Sequence, residues 1–157
     1  MSDTRIRVTA TVDAPTAVVF DYLASPHRHK EFDASGMVGT DEFDEPITKT
    51  GQVFRMNMER GPADARIEYQ VDNTVTKFKA NRKVAWAVGE VDGDPYGWTW
   101  RYDLSPKGKN EQKTLVTLTY DWADATDHTV KTMHLPLFSE ADLEASLKLL
   151  GKVVKHR

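Results

Sequence analysis

The sequence of 157 residues carries a formal net charge of −3 and contains no cysteine. A chain of this length predicts one domain, 1–157, that folds without metal or disulfide, and the missing cysteines exclude disulfides, thiol catalysis and cysteine-bound zinc. The 21 basic and 24 acidic side chains are interspersed, so no overall field favours nucleic acid as a partner.

The beginning of the chain predicts one strand and two short helices. Residues 6–12 alternate apolar and polar side chains, which is the period of a half-buried strand. Asp13 or Ala14 caps the first helix, with Pro15 at its first helical position. Pro26 ends that helix and starts a second short one.

The second short helix contains four potential metal ligands, His27, His29, Glu31 and Asp33. Side chains two residues apart on a helix point about 200° apart, so these four do not share one ion. The spacing therefore predicts a solvated, charged helical turn without a metal. His29 and Asp33 have the i, i+4 spacing of a modest ion pair.

Five or six further strands follow, separated by turns that contain glycine, proline, asparagine or aspartate. They are predicted at 37–43, 52–59, 66–78, 83–91, 97–104 and 113–122. Because the connections are too short for crossover helices, the strands are antiparallel. Asp72 and Asn73 interrupt the segment 66–78 and predict a bulge or a strong bend.

The last 35 residues predict a loop and a long amphipathic helix. The segment 123–137 has no clean period, which indicates a loop with about one helical turn and makes it a candidate lid. Ser139 and Asp142 form a capping-box pattern that starts the helix near Glu140. The fold class is therefore α+β, a curved antiparallel sheet of six or seven strands wrapped around a long C-terminal helix.

Several segments carry a family resemblance over nearly the whole chain. They are VDAPTAVVFDYLASP at 12–26, Phe32-Asp33, KVAW at 83–86, Trp98-x-Trp100-x-Tyr102-x-Leu104, and TLVTLTYDW at 114–122. The chain resembles the SRPBCC superfamily (START-like and birch-pollen-allergen-like), in its polyketide cyclase/dehydrase and lipid-transport group. The resemblance implies a helix-grip fold with two short helices after the first strand and a ligand cavity. It does not identify the ligand, because the superfamily contains lipid carriers, hormone receptors, aromatase/cyclases and quinone-binding proteins.

Strand alternation assigns a wall of apolar and aromatic side chains to the face that meets the terminal helix. Ile67 and Val71 belong to it beside Tyr69. Aromatic rings with polar tips suit an aromatic ligand. The predicted ligand-binding residues are Phe54, Met56, Met58, Tyr69, Trp86, Trp98, Trp100, Tyr102, Leu118, Tyr120 and Trp122 on the strands, and Leu143, Leu147 and Leu150 on the helix.

The preferred interpretation is a carrier or sensor that binds a small hydrophobic or aromatic molecule, lipid-like or polyketide-like, between sheet and helix. It needs no cofactor. The sequence has no apolar run of 18 residues and no signal-peptide pattern, which predicts a protein without stable membrane anchoring. The lack of cysteine fits a cytoplasmic location, and a monomer or homodimer is expected.

Two other classes of function stay open. A polyketide cyclase or aromatase needs a cavity acid or base, and a protein-interaction module of the ribosome- or toxin-associated type uses an exposed surface. The sequence contains no serine nucleophile elbow, phosphate-binding loop or dinucleotide fingerprint, which disfavours an enzyme of those types. Candidate acids and bases are Tyr69, Tyr102, Tyr120, Arg66, Arg101, Asp121 and His134. By strand parity, Arg101 and Asp121 face away from the predicted cavity.

Overall fold

One curved antiparallel sheet organises the chain in the computed structural model, which describes residues 3–155. The elements are β1 (Arg5–Val12), α1 (Thr16–Leu23), a 3₁₀ turn (Pro26–Arg28), α2 (His29–Phe32), β2 (Val38–Asp41), β3 (Val53–Arg60), β4 (Ile67–Lys79), β5 (Lys83–Gly89), β6 (Pro95–Lys107), a second 3₁₀ turn (Lys109–Glu111), β7 (Lys113–Asp121), α3 (Asp127–Thr132) and α4 (Glu140–Lys155).

The sheet has seven strands in the order β1-β7-β6-β5-β4-β3-β2, and all neighbours are antiparallel. Strands β2 to β7 form a meander, because each is joined to the next by a short connection. The two short helices connect β1 to β2 at the opposite edges of the sheet. The fold class predicted from the sequence is confirmed.

Two local predictions are wrong by a few residues. The first helix begins at Thr16 with Pro15 as the extended residue before it, one position later than expected. The irregularity in β4 lies between Val75 and Lys77, whereas Asp72 and Asn73 are regularly paired. The polar pair Asp72 and Asn73 therefore does not mark a bend in the strand.

The start of α4 follows the predicted capping box. The Asp142 amide donates to Ser139 Oγ at 3.2 Å, and the Ser139 amide donates to Asp142 Oδ2 at 2.8 Å. The buried face of the helix is formed by Leu143, Leu147, Leu150 and Val154. It lies mainly against β1 and α2, with smaller contacts to α1 and β7.

The segment between β7 and α4 contains the short helix α3. Thr126 caps it by accepting a hydrogen bond from the Thr129 amide. The end of this segment lies over the sheet, where the Leu137 amide donates to the Tyr120 hydroxyl at 3.3 Å. The predicted loop with about one helical turn is confirmed, and its action as a lid stays a prediction. Within residues 3–155, no helix has the length and apolar character needed to span a membrane.

Candidate functional site

The inner face of the sheet is built from rows of side chains that are directly opposite one another on neighbouring strands. Trp86 on β5 pairs with Trp100 on β6, and Trp100 pairs with Tyr120 on β7. In the next row, Tyr102 lies between Val84 and Leu118. Directly opposed residues of antiparallel strands share a face, so the predicted side-chain directions are confirmed for these strands.

The side of this face that meets α4 is tightly packed. Leu118 and Tyr120 on β7 are each at most 2% exposed, as are the helix residues Leu143, Leu147 and Leu150. Trp122 is buried beside Tyr120, with ring centroids 5.2 Å apart. Ten of the predicted site residues are buried in the core, namely Phe54, Met56, Trp86, Tyr102, Leu118, Tyr120, Trp122, Leu143, Leu147 and Leu150.

The other predicted site residues, Met58, Tyr69, Trp98 and Trp100, are half-buried. Ile67 was expected beside them, but it is 54% exposed because it is the first residue of β4. We use the name aromatic patch for the half-buried rings along this open part of the inner face. The aromatic patch consists of Tyr69, Tyr96, Trp98, Trp100 and Phe138.

Ring stacking gives the aromatic patch a defined shape. Tyr96 stacks on Trp98 with centroids 4.9 Å apart and planes 17° from parallel. Trp100 stacks on buried Tyr120 at 4.5 Å, and Phe138 lies 5.4 Å from Trp100 at a tilted angle. The faces and edges of these rings are therefore fixed in orientation by their stacking partners. Such an arrangement suits an aromatic ligand, which can stack on a face or meet an edge.

The patch is supported from the outer face of the sheet by an ion-pair network. Arg55 donates to both carboxylate oxygens of Asp72 and, at 3.0 Å, to Asp92 in the turn between β5 and β6. The Asp92 amide also donates to Asp72 at 2.8 Å. These bonds hold the pKa of Asp72 below its usual value and fix the turn that precedes Tyr96.

His29 is the main functional candidate that sequence reasoning missed. It is 6% exposed, and its ring stacks on Trp86 at 5.2 Å and meets the Phe54 ring edge-on at 5.8 Å. Its Nε2 atom donates to the Leu23 carbonyl at 2.8 Å, which assigns the neutral tautomer with Nδ1 as acceptor. Burial lowers the pKa of this imidazole to about 4.

The predicted solvated turn is confirmed for His27 and Glu31, which are exposed, but it is wrong for His29, and the described residues show no His29–Asp33 ion pair. The Asp33 carboxylate instead accepts hydrogen bonds from the amides of Ser35 and Val38. The helix turns His29 toward the sheet, where β3 and β5 cover it. Helical spacing alone could not distinguish this arrangement from a solvated face.

Asn73 is the second candidate site residue that the sequence did not indicate. It faces inward, directly opposite Phe54 on β3 and Val88 on β5, and is 5% exposed. Among residues 3–155, its Oδ1 atom has no hydrogen-bond partner. The adjacent Asp72 points outward to Arg55, so the polar pair that resembled a bend is divided between the two faces of a regular strand.

The structure separates the predicted acid and base candidates among the aromatic patch, the core and the surface. Burial raises the pKa of Tyr69, Tyr102 and Tyr120, and the Tyr120 hydroxyl already accepts from Leu137. Arg66 donates to the carbonyls of Gly61 and Gly36, and His134 is exposed. Arg101 and Asp121 line the outer face, as their strand parity predicts.

Two clefts in the described part of the chain lie away from the aromatic patch. One, of about 510 Å³, is on the outer face and includes Arg7, Arg101 and Thr119 in its lining. The other, of about 420 Å³, lies between β1 and α4 and is lined by Leu147 among others. The predicted hollow between sheet and helix stays a prediction, and the aromatic patch is the accessible part of the inner face.

Comparison with solved structures shows the same fold at low sequence identity. Protein Ms6760 from Mycobacterium smegmatis aligns with a TM-score of 0.68 at 13% identity, covering 98% of this chain and 92% of that chain. Norcoclaurine synthase from Thalictrum flavum, in complex with dopamine and hydroxybenzaldehyde, aligns with a TM-score of 0.61 at 15% identity, covering 98% and 87%. These neighbours show the fold that the resemblance in the sequence implies.

Sequence comparison finds relatives without an assigned function. The uncharacterised protein Rv0088 of Mycobacterium tuberculosis is 27% identical over 150 residues, which cover 94% of this chain and 62% of that protein. The chain thus spans less than two thirds of the length of this relative. No protein-family model matches the chain.

Proposed function

We propose that this protein binds a small aromatic molecule at the aromatic patch and acts as a carrier or sensor. The observation that carries the proposal is the set of half-buried rings on the inner face, beyond the part of the sheet that α4 covers. Soluble domains usually bury such rings, and a group of them with one open side is typical of a ligand surface.

The rings provide both affinity and orientation. Covering apolar surface contributes about 25 cal/mol per Å², and aromatic pairs add about 0.5–1.5 kcal/mol each. The stacked pair of Tyr96 and Trp98 offers a flat surface, while Phe138 closes one side over Trp100. The small aromatic compounds in the norcoclaurine synthase structure support the same ligand class for this fold.

The proposal is tested by titrating 2-naphthol into the ¹⁵N-labelled protein. We expect saturable shifts of the indole N–H signals of Trp98 and Trp100, because both side chains are half-buried in the patch. Trp122 is buried, and its signal should move less. Trp98→Leu should weaken binding about ten-fold, as expected for the loss of one stacking partner.

Phe43 provides a matched control for this experiment. It is a 42% exposed ring that lies under the Arg55 guanidinium, outside the patch. Phe43→Leu should leave the 2-naphthol affinity unchanged. Absence of any shift at millimolar 2-naphthol, or shifts confined to residues of the outer face, would contradict the proposed function.

A second candidate function, a cyclase-type enzyme, is favoured by one observation. The neutral His29 imidazole lies between Phe54 and Trp86 on the inner face, and its Nδ1 atom is an acceptor. A base in an apolar site can take a proton from an activated carbon, whose electron pair then forms a bond to a ketone carbon, while the carbonyl π bond breaks and the ketone oxygen receives the proton. Under this proposal, a poly-β-ketone thioester is cyclised by the wild type, and His29→Gln abolishes conversion while 2-naphthol still binds.

A further inference from the structure

We infer that the ligand carries a neutral N–H or O–H donor, which forms a hydrogen bond to Asn73 Oδ1. This inference rests on the proposed function and specifies its ligand class as aromatic alcohols and N–H heteroaromatics. It assigns Asn73 as the residue that determines specificity within the site.

The unsatisfied carbonyl oxygen of Asn73 is the starting point. Buried polar atoms in proteins almost always have a hydrogen-bond partner, and leaving one unpaired is unfavourable. Asn73 Oδ1 is such an atom among residues 3–155. Since an amide oxygen only accepts, the missing partner must be a donor.

The surroundings of Asn73 select an uncharged donor. Across the sheet it lies between Phe54 and Val88, and the adjacent inward-facing residues on its own strand are Val71 and Val75. A carboxylate or phosphate would place an anion next to an acceptor in an apolar environment. An ammonium group would lose its hydration without gaining a counter-ion there.

Asn73 is two strands away from the aromatic patch. Val88 lies opposite Asn73 on β5, and the preceding residue, Ala87, pairs with Thr99, which follows Trp98 on β6. Neighbouring strands are about 4.8 Å apart, so two strand spacings of about 10 Å separate Trp98 from Asn73. A two-ring aromatic placed beside Trp98 can therefore direct its hydroxyl toward Asn73.

The test compares matched ligands by calorimetric titration. Wild-type protein should bind 2-naphthol about 10- to 100-fold more tightly than 2-methoxynaphthalene, which has lost the donor, and 2-naphthoate should bind most weakly. In Asn73→Leu, 2-naphthol and its methyl ether should bind equally. Gln70→Leu, on the outward face of the same strand, should retain the wild-type preference.

The outcomes separate this inference from the proposed function. If neither 2-naphthol nor 2-methoxynaphthalene binds, the proposed function fails and the inference fails with it. If both bind equally well to the wild type, or if Asn73→Leu keeps the preference for 2-naphthol, the inference is overturned and the proposed function stands. Circular dichroism establishes that each variant is folded, and Asn73→Val, which also lacks an acceptor, replaces Asn73→Leu if the latter is not folded.

Discussion

The free energy of unfolding should fall by about 3 kcal/mol when the pH is lowered from about 6.5 to about 4, and His29 should be responsible. The pKa of its buried imidazole is about 4, against 6.5 for a free side chain. Between these values the unfolded chain binds a proton that the folded protein excludes. The free energy of unfolding therefore rises with pH between about 4 and 6.5, and the contribution of His29 is fully present above that range.

The structure explains why the folded protein excludes this proton. Desolvation of the imidazole between Trp86 and Phe54 is the largest effect. The hydrogen bond to Leu23 and the negative charge of Asp33 oppose it, and the positive form of nearby His27 adds to it. The net effect keeps His29 neutral at physiological pH.

His29→Gln isolates this contribution in urea denaturation series measured from pH 4 to pH 7. Glutamine keeps an N–H donor for the Leu23 carbonyl and does not titrate. The pH dependence of the variant should be flatter than that of the wild type by about 3 kcal/mol. His27→Gln removes only the smallest of these contributions, the neighbouring positive charge, so it should reduce the pH dependence far less than His29→Gln does. Equal slopes in wild type and His29→Gln would contradict the burial of a neutral imidazole.

The sequence predicted those features that depend on local periodicity. Alternation placed Trp86, Trp100 and Tyr120 on one face, because a pleated strand turns every second side chain the same way. The last helix was located by its cap at Ser139 and by the spacing of its leucines. These signals lie within a few residues of each other and need no tertiary information.

The parts that the sequence did not reveal depend on tertiary packing. His29 was assigned to a solvated turn, since its burial comes from β3 and β5, which are distant in sequence. Asn73 suggested a bend, because no local pattern indicates that Asp72 pairs with Arg55 on the opposite face. Whether rings and leucines enclose a hollow likewise depends on how α4 is placed against the sheet.

Gly97→Ala should lower the free energy of unfolding by about 3 kcal/mol. Gly97 has φ +113°, a conformation that side-chain-bearing residues rarely adopt, and an added Cβ would overlap the backbone N and Cα atoms of Ala125. The turn at Ala125 leads directly into α3, so this close approach joins β6 to the segment that ends over Trp100. Urea denaturation at pH 7 measures the change.

Gly51 separates steric overlap from backbone strain in this prediction. It has φ +90°, and a Cβ added there meets no atom within 4 Å, so Gly51→Ala should cost only about 1 kcal/mol. Tyr96 and Trp98 flank Gly97, and displacement of the turn at Ala125 should move both rings of the aromatic patch. Gly97→Ala should therefore also weaken 2-naphthol binding under conditions where the variant is folded, whereas Gly51→Ala should not. Equal losses of stability in the two variants would show that the overlap with Ala125 is relieved without cost.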